Sequence, residues 1–180
     1  MAEIIEDTRQ QVHDGDKHAN KHLWWERHGV GVERRKLDFG DYARADGTSN
    51  VVVDTKRSLD EVVGNVGRSH DRFVRELDKA RNAGCRLVIL IEVGAPYTTV
   101  DAIARWTSGV CRRCDLYRKC ICDPAASGQC RRKRHKPMQG RTLLRIMRSL
   151  ERDHGCRFEV CHPAHSAARI CELLGVEVGT

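Results

Sequence analysis

The sequence predicts an α/β domain: a central mixed β-sheet flanked by helices and interrupted by one cysteine-rich insertion. Three observations carry that expectation. Short apolar runs alternate with segments of helical spacing along the chain. A length of 180 residues suffices for one proper core and is short for two. The stretch 107–137 is almost devoid of large apolar residues, yet it lies inside 1–180, which is otherwise read as one domain.

"AEIIED" reads as a short buried strand ending at Asp7, and "HANKHLWWERHG" as a helix stopped at Gly29. "VGVERRKL" is expected to be a second strand, "GDY" a turn, and "NVVVDTK" a third strand after the turn-rich "ADGTSN". The second and third strands are expected to form a hairpin. Ser58 and Glu61 then have the spacing of a capping box. They open a helical region carrying Leu59, Val62, Val63 and Val66, weakened at Gly64 and Gly67 and resumed by Phe73, Val74, Leu77 and Ala80. "RLVILIEV" after Gly84 is the strongest strand signal, and a short helix is expected over 99–106. Beyond the insertion, "GRTLLRIMRSLERDHG" reads as a helix with Leu143, Leu144, Met147 and Leu150 on one face. Strand "CRFEVC" and helix "HSAARICELLG" follow, with Cys156, Cys161 and Cys171 as small core hydrophobes.

Net charge is +7, and the first hundred residues are close to neutral, so the excess lies later. Arg112, Arg113, Arg118, Lys119 and the run Arg131, Arg132, Lys133, Arg134 make a basic block that suits a polyanion, with DNA the favoured partner. A solvated loop and a targeting peptide are the alternatives for "RRKRHK". No run approaches the ~20 apolar residues of a membrane span. "MAEIIEDTRQ" is too acidic for a secretory signal, so a cytoplasmic protein with reduced or metal-bound cysteines is expected.

Asp54 and Lys56 are two apart on a strand and therefore project together, with Thr55 turned away. Val51 and Val53 are read as accompanying the pair inward. An exposed ion pair contributes little, roughly 0 to 1 kcal/mol, whereas a buried acid and lysine need a metal or substrate to justify their desolvation. Two carboxylates can hold Mg²⁺, and a lysine beside them can orient the attacking water, which are the parts phosphodiester hydrolysis requires. Asp41 upstream, and Asp60 and Glu76 on the following helix, add acids at the same end.

"GDY…VVVDTKRSLD" resembles the signature of the XPF family of nucleases, within the PD-(D/E)xK superfamily: GD, a gap, ERK, three residues and D. Gly40 and Asp41 match GD, Asp54, Thr55 and Lys56 stand at ERK, and Asp60 is the final D. Asp7 and Arg9 in "IIEDTR", "HDRFVRELDKA" before "RLVILIE", and the C-terminal helix–strand–helix are similar too, so the resemblance spans the chain apart from 107–137. The tail "LLRIMRSLERDHGCRFEVCHPAHSAARICELLG" is similar to the end of small phage and bacterial members, and as a departure from the eukaryotic and archaeal pattern no tandem helix-hairpin-helix domain is expected. The resemblance implies a restriction-endonuclease-like fold and a Mg²⁺- or Mn²⁺-dependent DNA endonuclease acting on branched or junction DNA in repair, recombination or phage DNA processing. Asp41, Asp54 and Thr55 fall at the metal, Lys56 at the water, and Asp7, Asp60 and Glu76 in support. Asp54 shortens the usual Glu by one methylene, Thr55 replaces Arg and should alter substrate contacts first, and Gln10 stands where Glu is frequent. A homodimer, or a partner supplying a helix-hairpin-helix domain, is compatible with the short chain. The other class of function is a non-catalytic DNA-binding module.

"CRRCDLYRKCICDPAASGQC" offers Cys111, Cys114, Cys120, Cys122 and Cys130 for four positions around a structural Zn²⁺, Cys122 being the least favoured. An iron–sulfur cluster and unligated thiols in a basic loop are the alternatives. At least one of Trp24 and Trp25 belongs to the core, Trp106 is a candidate for base stacking, His70 is a surface residue, and His162 marks a helix boundary.

Overall fold

The computed structural model describes residues 3–9, 17–119, 121–122 and 136–179. Along them run β1 (Ile4–Glu6), α1 (Lys17–Arg27), β2 (Val32–Arg34), β3 (Tyr42–Arg44), β4 (Val51–Lys56), α2 (Leu59–Val66), α3 (His70–Asn82) and β5 (Arg86–Glu92). A 3-10 turn at Asp101–Arg105 leads into two short helices, α4 (Gly109–Arg112) and α5 (Asp115–Arg118). Then come α6 (Gly140–His154), β6 (Arg157–Cys161) and α7 (Ser166–Leu174). Six strands form one mixed sheet in the order β2-β1-β3-β4-β5-β6. The pairs β1/β2, β4/β5 and β5/β6 are parallel, and β3 runs antiparallel to both β1 and β4.

Helices cover both faces of the sheet, which is why β4 and β5 read as near-continuous apolar runs. Val52, Leu87, Ile89 and Ile91 pack on one face against Phe73, Leu77, Leu143 and Met147 of α3 and α6. Val53, Leu90 and Tyr42 pack on the other against Trp25 of α1 and Ile170 and Leu174 of α7. The expected α/β architecture is the one observed.

Three local expectations fail. Only "GD" of "GDY" turns: Tyr42 already opens β3, which forms the hairpin with β4, while β2 sits at the sheet edge beside β1. Tyr42 is wholly buried and so earns a strand position that its neighbours Gly40 and Asp41 disguise. The helical region after Ser58 breaks into α2 and α3 at Gly67, whose backbone (φ −104°, ψ −95°) leaves the helical range. The helix expected over 99–106 tightens to a 3-10 turn ending at Trp106, whose ring is buried and unavailable for stacking on a base.

The residues flanking 107–137 meet where the Gly140 N–H donates to the Trp106 carbonyl at 3.2 Å. Among the described residues, no helix is long and apolar enough to cross a membrane.

Candidate functional site

The site forms where β1, β3 and β4 end together, and Gly40 sets it. Its φ is 69°, and a Cβ there would lie 2.5 Å from Val52 Cγ1 and 3.1 Å from the Val53 carbonyl oxygen. Only glycine lets the chain turn this closely over β4. The turn fixes Asp41, whose N–H donates to the Val53 carbonyl at 2.8 Å and whose carbonyl accepts from Asp7 N–H at 2.8 Å. Glu76, reaching over from α3, accepts from the Gly40 N–H at 3.2 Å.

Strand periodicity puts Asp54 and Lys56 on one face, as expected, but their apolar companion is Val52. Val51 and Val53 are an odd number of steps away, and they pack on the opposite face. Both charged side chains are buried, Asp54 at 4% exposure and Lys56 at 9%. Lys56 Nζ donates to Asp54 Oδ1 at 2.9 Å. It also lies 2.7 Å from Oδ2, close enough for charge attraction but outside hydrogen-bond geometry, so Oδ2 is buried without a donor.

Thr55, expected to face away from Asp54 and Lys56 and to alter substrate contacts first, also reaches one of the acids. Its amide and its hydroxyl both donate to Asp41 Oδ2, each at 2.7 Å. The residue at the variable position of the signature therefore orients one of the acids.

Charge in the pocket is unbalanced. Burial pushes the Asp54 carboxyl well above its ordinary range; Lys56 opposes this, and the charges of Asp41 and Glu76 reinforce it. Burial works against the Lys56 ammonium, but Asp54 and Asp41 outweigh it and hold the lysine proton more tightly than usual. Asp54 and Asp41 thus share one lysine.

Asp7 sits at the rim with both oxygens engaged. It accepts from Arg9 N–H and Nε at Oδ1, and from Arg9 Nη2 and the Leu37 N–H at Oδ2. Burial would raise its pKa, yet these donors together hold it below the usual carboxylate value. Asp60 turns elsewhere, accepting from Gly109 N–H at 3.2 Å and standing 3.7 Å from Arg112 Nη2, where α4 begins.

Cys111 and Cys122 are buried and Cys114 is half-buried. Cys120 and Cys130 lie outside the described residues, as do Arg131, Arg132, Lys133 and Arg134. Among the described residues, no group of three or more His, Cys, Asp or Glu is gathered into a metal-holding cluster. Arg112 and Arg113 are exposed on α4 and at its end.

Sequence reasoning missed a second buried charge cluster on the α1/α7 face. Lys21 Nζ lies 2.6 Å from Glu92 Oε1, which also accepts from the Ser166 hydroxyl; Glu6 accepts from Tyr42 and faces His22. Lys21 belongs to a helix whose charged residues read as its wet face, and no local pattern marked it as inward.

No family model matches the chain, and no curated protein matches it in sequence. Solved structures do match, among them XPF from Aeropyrum pernix, at 17% identity and a TM-score of 0.54, covering 95% of this chain and 62% of that one. The chain thus spans about three fifths of that structure. At such identity the likeness is one of fold: the mixed sheet with helices on both faces has the restriction-endonuclease-like, XPF-like arrangement.

Proposed function

We propose that the chain is a divalent-metal-dependent endonuclease that hydrolyses phosphodiester bonds of DNA, with branched or junction DNA as its substrate. The observation that supports this most is the buried Asp54–Lys56 pair beside Asp41, one ammonium facing both Asp54 oxygens largely out of reach of water. Such a group is costly to bury for structure alone.

The donor set fits a hard cation. Asp41 and Asp54 offer carboxylate oxygens, and Mg²⁺ or Mn²⁺ is commonly held by one or two carboxylates plus waters, so a full protein cage is not needed. When bound, the ion supplies positive charge to a phosphoryl oxygen and acidifies a water. Thr55 holds Asp41 in position through its amide and hydroxyl. Lys56 keeps its proton and can donate from Nζ to the attacking oxygen or to the phosphate. Glu76 secures the Gly40 turn, and Asp7 clamps Leu37 and Arg9 around it. Asp60 joins the insertion to the end of β4, a role in placing substrate more than in holding the ion. Structural Zn²⁺ in the cysteine segment belongs to the same proposal and is tested by elemental analysis of the purified protein.

The experiment is cleavage of a labelled panel of duplex, single strand, flap, fork and four-way junction in Mg²⁺ or EDTA, beside Asp54→Asn and Lys56→Ala. Cutting should require Mg²⁺ and fall by at least about a hundredfold in either variant. Equal cutting by the variants would reject the site. Binding without cutting would replace the nuclease with a DNA-binding protein or with a subunit that needs a partner.

A further inference from the structure

A trough leads away from the candidate site between α2 and the start of the insertion. Its main basin, about 690 Å³, begins at Asp60, four residues past Lys56. The floor is apolar, made by Val63, Val110 and Met138, and Val110 is 40% exposed there. The rim is basic, with Arg68, Arg113 and Lys136. Through Gly67 and Arg68 this basin adjoins a second of about 390 Å³, whose walls add Arg72 and Arg75. Through Val110 and Arg113 it adjoins a third of about 450 Å³. All five of these basic side chains are exposed. Among the described residues none of the five forms an ion pair with a carboxylate, whereas Arg148 and Arg169 are each held by two.

We propose that the trough binds a single-stranded segment of DNA, its phosphates against Arg68, Arg113 and Lys136 and its base faces on Val63, Val110 and Met138. Two features select this ligand. Unpaired cations in a row suit a phosphate backbone, which releases counterions as it binds. An apolar floor below that rim suits exposed base faces, and a duplex keeps its bases stacked inside and offers the rim only phosphate. A volume of 690 Å³ holds about one or two nucleotides at ordinary ligand-pocket scale. With Trp106 buried, no Trp, Tyr or Phe lines the trough among the described residues, so base preference should be slight. The direction of the strand toward the acids rests on the nuclease reading; the binding itself does not.

The test is fluorescence anisotropy of the full chain in EDTA with a labelled oligo-dT and the matching duplex, over a salt series. One variant is Arg68→Ala/Arg113→Ala. A second is Gly64→Glu, which points a carboxylate into the trough from a position where a Cβ meets open space. The control is Arg27→Ala/Arg86→Ala, exposed residues on α1 and at the far end of β5 that remove the same charge. Melting curves check that each variant folds. The parent should prefer the single strand. The double trough variant should lose about tenfold in single-strand affinity and about 1.4 in salt slope, at roughly 0.7 per phosphate contact, and the control should lose much less. Gly64→Glu should weaken binding in the same direction. Equal losses for duplex and single strand, equal losses in the control, or no loss in either trough variant would overturn the proposal. Retained binding without Mg²⁺-dependent cutting would reject the nuclease and leave the trough; cutting with an indifferent trough would do the reverse.

Discussion

Gly40 and Thr55 show how much a signature residue can owe to its neighbours' space. Gly40 precedes Asp41 because the turn needs a positive φ over Val52 and leaves no room for a methyl group. Gly40→Ala combines a left-handed conformation costing about 1–2 kcal/mol with overpacking of about 1–3 kcal/mol. A loss near 3 kcal/mol in urea unfolding is the expected outcome, and a loss under about 0.5 kcal/mol would mean that the turn relaxes freely. Thr55→Val keeps the amide bond to Asp41 and removes the hydroxyl one. Its stability should fall by about 1–2 kcal/mol, because a hydrogen bond to a carboxylate is lost while the amide one remains. Its kcat should fall roughly tenfold with KM nearly unchanged if Asp41 must be held in one orientation; an altered KM at constant kcat would return Thr55 to substrate contact.

At the scale of elements, legibility followed the strength of the local pattern. β4, β5 and α6 were plain because unbroken β-branched runs and a fifteen-residue amphipathic face overwhelm other signals. β3 was hidden because its three residues, Tyr42–Arg44, begin right after the glycine turn, and their partners lie on two other strands. Asp41, Asp54 and Lys56 were legible through spacing; the reach of Thr55 and the turning away of Asp60 toward Gly109 depend on contacts between elements that no spacing encodes. One such contact joins α3 to the end of α6: His154 Nδ1 lies 2.8 Å from Asp78 Oδ1. That hydrogen bond, helped by the charges of His154 and Arg81, holds the Asp78 carboxyl below its ordinary pKa of 3.8. A lowered acid contributes stability above its unfolded pKa and loses it as pH falls through the folded one. Asp78→Asn should therefore be less stable than the parent at pH 6, and the gap should narrow steadily as pH falls below 3.8 toward the lowered folded value. A gap that stays constant as the pH is lowered through that range would assign the effect to packing, not ionisation.

Taken whole, the molecule separates its excess charge in sequence from the residues of the candidate site. Residues 107–137 contain nine Lys and Arg against two Asp, which accounts for the entire net charge of +7. The sheet and its helices are neutral in sum, though locally they present Arg68 between α2 and α3 and Arg72 and Arg75 on α3. The excursion leaves at Trp106 and returns at Gly140, which are hydrogen-bonded to each other. This geometry allows 107–137 to be replaced by a short Gly/Ser linker with the closure point kept in place. Asp60 loses its Gly109 and Arg112 partners in that variant, but it is 47% exposed and water can replace them. The shortened protein should melt cooperatively and keep the buried Asp54–Lys56 pair. Its affinity for single-stranded DNA should fall at least about tenfold near 150 mM salt, with a much flatter dependence on salt concentration, because the counterion term scales with the phosphate contacts removed. If the slope survives, the phosphates are held by α2 and α3 alone, and the basic block serves something other than DNA. If the shortened chain fails to melt cooperatively, the block is part of the core's own stability and 107–137 is no insertion in the physical sense.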